Sequence, residues 1–493
     1  MAVSGKAFVI SLDCVNAELL DKWTASGRLP NLARLRKDGI ARRLTCKSVS
    51  IEADWHTFYT GQQPSVHGHC SYDEIIPGTY RSRVTTAPRS VCKPFWETLS
   101  QEGARVIAVN PVHAAPSPIA DGIVITDWLV HDAGHYTALA SHPPELASEL
   151  RARYPDDPVN PNDWGHSVSA NPERLLAAKR ETLRRKVEVL IELLRSRPWD
   201  LCYAGFDECH EMSHLFWHLH DPSHPRHGNA TGADDPLAAM LMELDATVGQ
   251  LVAGVDKDCA IIVISISGIG PNYHWSHLVD SILRRIDSPV DASGGTYKLL
   301  RTLWNRIPHP VQRSLYGLRH SLRETMLERD RRKQRAFALP LNERSGAVRI
   351  NLAGREPNGI VAEGAEYDAV CQNLSEVFKG LVCVESGAPL VRSVIKTRDV
   401  LDGPFLDRLP DLMIEWNVDR PINAVTSPRI GEIRRDYTDA RTGHHLNDGF
   451  VLISGASGGG EAIKDDMDLA DIAQTVIAHV RSAQAPLDAG APA

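Results

Sequence analysis

The chain has 493 residues, with 54 Lys and Arg against 62 Asp and Glu, giving a formal charge of −8. A single core stops growing near about 250–300 residues, so this length calls for two domains or one large core with insertions. Apolar residues at 43% and charged residues at 24% exclude a disordered, collagen-like or disulfide-scaffold chain, and the acidic balance gives no general pull toward nucleic acid.

Residues 7–12 form a short apolar run that ends at Asp13, which predicts a buried parallel strand with a carboxylate at its C-terminal edge. Helical patterning follows over 17–26 and 29–37. A short helix is expected at 95–101, then strands at 106–110 and 123–127. A long amphipathic helix runs over 172–195 and stops before Pro198. Next come a strand at 200–206, a helix at 236–253 and a strand at 260–265. This alternation predicts an α/β fold, a mostly parallel sheet flanked by helices, with ligands bound beyond the strand C-termini.

From residue 278 to 344 the pattern turns helical and basic, and 313–335 holds eight Lys/Arg against three acidic residues. We expect an inserted helical cap there. Its basic face is either a solvated surface or an anion-attracting wall. Strand patterns return at 348–352, 411–416 and 449–454. The core is therefore expected to comprise 1–277 and 345–482, with a disordered Ala/Pro-rich tail at 483–493.

No apolar run reaches the ~18 residues that a spanning helix needs, and the first residues lack the pattern of a secretory leader, so a cytoplasmic protein is expected. Nine cysteines lie scattered without a CxxC pair, which fits reduced, mostly buried thiols. The 21 histidines are the unusual feature, and they cluster.

Four groups after strand ends could carry chemistry. Asp13 is either a metal ligand or a helix cap. Ser48 and Ser50 precede an amphipathic segment, where a serine serves as an N-cap or as a nucleophile facing the free N–H groups of the helix. His210 and His214 are spaced i, i+4, so they share a helix face in the usual geometry for two ligands on one metal, with Glu208 beside them. His218, His220, His224 and His227 continue this run as surface or supporting residues. Finally His444, His445 and Asp448 surround a glycine-containing turn before the last strand.

These groups occur in the order found in the alkaline phosphatase superfamily, and the chain resembles its type I phosphodiesterase/nucleotide pyrophosphatase branch over about residues 7–480. The resemblance rests on Val9-Ile-Ser-Leu-Asp13, on Trp55-His-Thr-Phe-Tyr-Thr60-Gly61 with Pro64 and His67-Gly68, and on His214-Leu-Phe-Trp217-His218. It extends to Gly268-Ile-Gly270-Pro-Asn272, Asn351-Leu-Ala-Gly-Arg355 with Gly359, and His445 before Gly449. It implies an alkaline phosphatase-like core and two divalent metals, usually zinc, about 4 Å apart, with a Ser or Thr nucleophile. Carried over, Asp13 matches a ligand of the nucleophile-side metal, and His214 and His445 match ligands of the second. Ser50 is the best nucleophile candidate; it lies one residue farther from Thr60-Gly61 than the family spacing, which leaves Ser48 and Thr57 open. Asn272 and His444 are the candidate substrate-binding residues.

Two departures stand out. His210 occupies the place of a family Asp, and Ile266-Ser267 stands where the family has an Asp-His pair of ligands. The site beside Ser50 is thereby depleted, while His210, His214 and His445, with Glu208, retain the donors of one site. Asp13 is left to orient or deprotonate Ser50, or to hold a weaker ion such as Mg²⁺. The expected function is a metal-dependent phosphoric ester hydrolase acting on a small phosphate ester or nucleotide, with one or two zinc-like ions. The alternatives are a phosphoryl or sulfuryl transferase, or a degenerate nucleotide- or anion-binding member.

Overall fold

The computed structural model describes residues 5–45, 50–71, 73–84, 90–130, 138–159, 171–228, 235–287, 325, 327–339, 344–435, 441–455 and 467–481. Ser48, most of the expected cap and the 483–493 tail lie outside the described residues. The chain divides into two compact units: Met1–His69, Thr86–Asn272 and Thr438–Ala493 form the first, and Cys70–Thr85 and Tyr273–Tyr437 the second.

The first unit is built on a nine-stranded sheet. Its strands, in chain order, are β1 (Ala7–Leu12), β2 (Ile40–Thr45), β3 (Val106–Val109), β4 (Gly122–Thr126), β5 (Ala140–His142), β6 (Leu201–Phe206), β7 (Ala260–Ser265), β8 (Asp448–Ser454) and β9 (Met467–Asp468). Their spatial order is β9-β2-β8-β7-β1-β6-β3-β4-β5. β1 lies parallel to β6 and β7 at the centre, and β8 runs antiparallel between β7 and β2. The sheet is therefore mixed but mostly parallel. β1, β6 and β7 are buried along their full length, because helices cover both faces.

Alternation along β1 sorts the core into two layers. Phe8, Ile10 and Leu12 join one apolar cluster, and Ala7 and Val9 join the other. The helices α1 (Ala17–Ala25), α2 (Pro30–Asp38), α3 (Ile51–Thr60), α4 (Pro172–Ser196), α5 (Glu208–His220), α6 (Pro236–Ala253) and α7 (Leu469–Arg481) pack around the sheet. Local chemistry sets their starts: Asn16, Ser50, Asn171 and Asp235 each accept a backbone N–H of the helix they open. Gly61, at φ +66, ends α3 in a left-handed turn. Among the described residues no helix is long and apolar enough to cross a membrane.

The second unit carries a four-stranded antiparallel sheet in the order Ala336–Ala338, Ser345–Ile350, Leu412–Trp416, Val391–Lys396. The strands expected at 348–352 and 411–416 lie here rather than in the large sheet. The motif around Arg355 acts as an internal brace. Arg355 pairs with Asp411 at 2.6 Å and Glu356 at 2.9 Å, and Tyr80 donates to Asn351 at 2.7 Å.

Candidate functional site

The sheet brings the expected residues to one edge. β1 and β6 run parallel in register, so Asp13 and α5 both begin just beyond their C-terminal ends. β7 also ends there, and β8, being antiparallel, starts there. The short strand Ile269–Pro271 then pairs with Gly443–His445, which sets Ile269 opposite His445 and Gly270 opposite His444.

The imidazoles of His210, His214 and His445 converge. Their ring centres are 4.9 Å apart for His210–His214, 5.0 Å for His210–His445 and 4.7 Å for His214–His445. Nδ1 of His214 lies 2.8 Å from the Gly443 carbonyl, and its Nε2 lies 3.2 Å from Nε2 of His445. That approach depends on Gly443, because a Cβ there would sit 2.2 Å from the Ser213 carbonyl oxygen. All three imidazoles are buried.

Asp13 is 1% exposed, and its Oδ2 lies 2.6 Å from Nδ1 of His210. A carboxylate accepting the N–H of a ligand histidine fixes its tautomer and ring orientation. Asp13 Oδ1 accepts from the thiol of Cys14 at 3.1 Å, and Cys14 Sγ lies 3.5 Å from Nδ1 of His445. Donor atoms of Cys14, His210 and His445 all lie within 4.8 Å of one another. This is a candidate metal site, and its donor chemistry suits a divalent cation: imidazole nitrogens and one sulfur, screened from water. Sequence reasoning passed over Cys14; the signal available was its position directly after Asp13.

Glu208 lies elsewhere. Its Oε1 is 2.7 Å from Nζ of Lys186 on α4, which also pairs with Asp207 at 2.6 Å; Lys179 pairs with Glu211 at 3.3 Å. Burial pushes the Glu208 carboxyl up. Burial also works against the Lys186 ammonium, but Asp207 and Glu208 hold it above the usual lysine value. Glu208 thus belongs to a buried ionic network between α4 and α5. Asn272 likewise braces a loop, donating to the Arg441 carbonyl at 3.0 Å. Nδ1 of His444 accepts the His445 amide at 2.9 Å, with the ring 5.6 Å from that of His214.

Ser50 is fully buried at the N-terminus of α3, where its Oγ accepts the Ala53 amide at 3.1 Å. β2, which leads into α3, has its C-terminal end at the same sheet edge as Asp13. Thr57 lies inside α3, 3.2 Å from Nε2 of His67. His67 Nδ1 accepts the His69 amide, so the neutral ring carries its proton on Nε2 and donates to Thr57. It is not poised to take the threonine proton. Ile266 is fully buried, and Ser265 Oγ donates to the Ser267 carbonyl, so this stretch supplies little to bind a cation.

Solved structures share this architecture. Phosphonoacetate hydrolase from Sinorhizobium meliloti 1021, in complex with phosphonoformate, matches with a TM-score of 0.56 at 13% identity, covering 97% of this chain and 99% of that one. The same enzyme with phosphonoacetate gives 0.55 at 13% identity, with the same coverage of both chains. Murine ectonucleotide pyrophosphatase / phosphodiesterase 5 gives 0.47 at 13% identity, covering 99% of this chain and 98% of that one. No curated protein matches by sequence. The fold is alkaline phosphatase-like. The sequence profile of the type I phosphodiesterase / nucleotide pyrophosphatase family matches residues 7–428, and the chain belongs to that family of phosphoric ester hydrolases.

Proposed function

We propose that the protein is a metal-dependent hydrolase of small phosphate esters, phosphodiesters or nucleotides foremost. The observation that carries this reading is the convergence of His210, His214 and His445 with Asp13 at the edge of the sheet. The His210–His214–His445 cluster would hold a zinc-like cation. Such an ion supplies Lewis-acid stabilisation of charge on a phosphoryl oxygen.

The remaining work falls to the chain itself. Asp13 holds the His210 ring in one orientation. Ser50, at the positive end of the α3 dipole, supplies the nucleophilic oxygen. That oxygen displaces the alcohol from phosphorus, and water then cleaves the phosphoseryl ester to restore the hydroxyl. The buried surroundings strengthen each of these electrostatic contacts.

Turnover of bis-p-nitrophenyl phosphate tests the reading. Chelator-stripped protein should be inactive, and zinc should restore it. Activity that is indifferent to both stripping and zinc would overturn it.

A further inference from the structure

The helix α5 breaks just after its histidine pair. Phe216, two residues beyond His214, leaves helical geometry at φ −120 and ψ 17. Sharp kinks arise where a foreign group enters the backbone ladder of a helix, and Thr442 lies against this one. Thr442 is 3% exposed. Its amide donates to the His214 carbonyl at 2.7 Å. Its hydroxyl donates to the Leu215 carbonyl at 3.0 Å and accepts the His218 amide at 3.3 Å, with Nδ1 of His218 3.1 Å from the same oxygen. Its carbonyl accepts the Asn272 amide at 2.9 Å. Every polar group of Thr442 is thus engaged by a segment distant in the chain.

Thr442 directly precedes the strand Gly443–His445. The first carbonyl of that strand lies 2.8 Å from Nδ1 of His214, and its last residue brings an imidazole to 4.7 Å from that of His214. A slide of this strand along α5 would therefore disturb two contacts of the histidine cluster together. The amide of Thr442 fastens the strand at one point only. Its hydroxyl adds two further points on the same turn of α5, Leu215 and His218, and so opposes both sliding and rotation.

Resting on the cation reading above, we propose that Thr442 is a positioning residue of the cation centre. Its hydroxyl, bridging Leu215 and His218 across the kink, fixes the separation of His214 on α5 and His445 on its strand. Thr442 acts through those two imidazoles rather than as a donor to the cation. The bridge needs a hydroxyl, because that one atom both donates to a carbonyl and accepts from an amide. Serine meets the same need. Valine has the shape of threonine but can do neither, and it would leave the buried Leu215 carbonyl and His218 amide without this partner.

Zinc and cobalt titrations of the chelator-stripped full chain test the assignment in the unmodified protein, Thr442→Val and Thr442→Ser. Thr442→Val keeps the backbone bonds and removes the hydroxyl. We expect it to bind zinc about 10–100-fold more weakly, as loss of an outer partner of metal ligands does. The visible absorption of bound cobalt, which reports the geometry of its donors, should change with it. Thr442→Ser should restore both. A role confined to stability would lower the melting temperature of the stripped Thr442→Val protein and leave affinity and spectrum unchanged; that result overturns the proposal, as does an equal loss in Thr442→Ser. Thr442→Ala removes the same bonds with less bulk, and failure of both it and Thr442→Val to fold would assign the hydroxyl to the fold alone. Unmodified protein that binds neither zinc nor cobalt would instead overturn the cation reading itself.

Discussion

Nδ1 of His210 and Oδ2 of Asp13 meet at 2.6 Å although 197 positions separate them in the chain. The contact follows from the pairing of β1 with β6, whose C-terminal ends stand side by side. Asp13→Asn keeps the shape but removes the charge that holds the imidazole N–H. Zinc affinity should fall about 10–100-fold, as for other outer partners of ligand histidines. Isothermal titration with zinc measures this, and wild-type affinity in the variant would contradict the role.

Gly443→Ala tests the close approach on the other side of the cluster. The new methyl would meet the Ser213 carbonyl oxygen at 2.2 Å and atoms of Ile269 and Trp217 near 3 Å. Strand and helix must separate, which pulls the Gly443 carbonyl away from His214. We expect destabilisation of about 1–3 kcal/mol, typical of overpacking, together with weaker zinc binding. Thermal melts with and without zinc report both effects.

Ser50 has two separable roles. Ser50→Ala removes the cap and should cost about 1 kcal/mol of stability. Ser50→Asn keeps a capping oxygen, so its stability should stay near that of the unmodified protein while phosphodiester turnover is lost. Turnover retained in Ser50→Asn would show that the nucleophile lies elsewhere.

The ionic network of α4 and α5 predicts a large stability effect at a distance from the chemistry. Lys186 is 2% exposed and pairs with both Asp207 and Glu208. Lys186→Met leaves two carboxylates buried without their cation, and breaking a buried pair in this way costs about 3–5 kcal/mol. Urea denaturation of the variant checks the figure; a loss under 1 kcal/mol would mean that the network relaxes or takes up water.

Acid should unfold the protein partly through the α3 region. Burial, followed by the charge of His69, lowers the His67 pKa from 6.5 to about 3, and burial lowers His56 in the same direction. The unfolded chain therefore takes up protons below pH 6.5 that the native chain refuses. The stability contributed is complete above that pH and is lost progressively as pH falls toward 3. His67→Gln should flatten the dependence of unfolding free energy on pH in this window. An unchanged slope would remove His67 from the cause.

Much of this architecture was legible in the residues. The apolar run before Asp13 and the alternation of strands with helices each reflect local forces, and these elements form close to the expected bounds. The i, i+4 spacing of His210 and His214 likewise placed both rings on one face of α5. The same helical geometry separates Glu208 from that face, since residues two apart do not point together. Its burial against Lys186 was therefore readable in principle and was missed.

The amino-acid order by itself determined the α/β class, the sheet edge where Asp13 lies and the pairing of two histidines on one turn of helix, because periodicity and capping act over a few residues. Only the tertiary structure decided that Cys14 joins the cluster, that Asp13 orients His210 and that Asn351 and Arg355 brace a separate sheet. Those relationships depend on strand register, on a left-handed turn at Cys14 and on the close packing that Gly443 allows, all of which arise from contacts between segments distant in the chain.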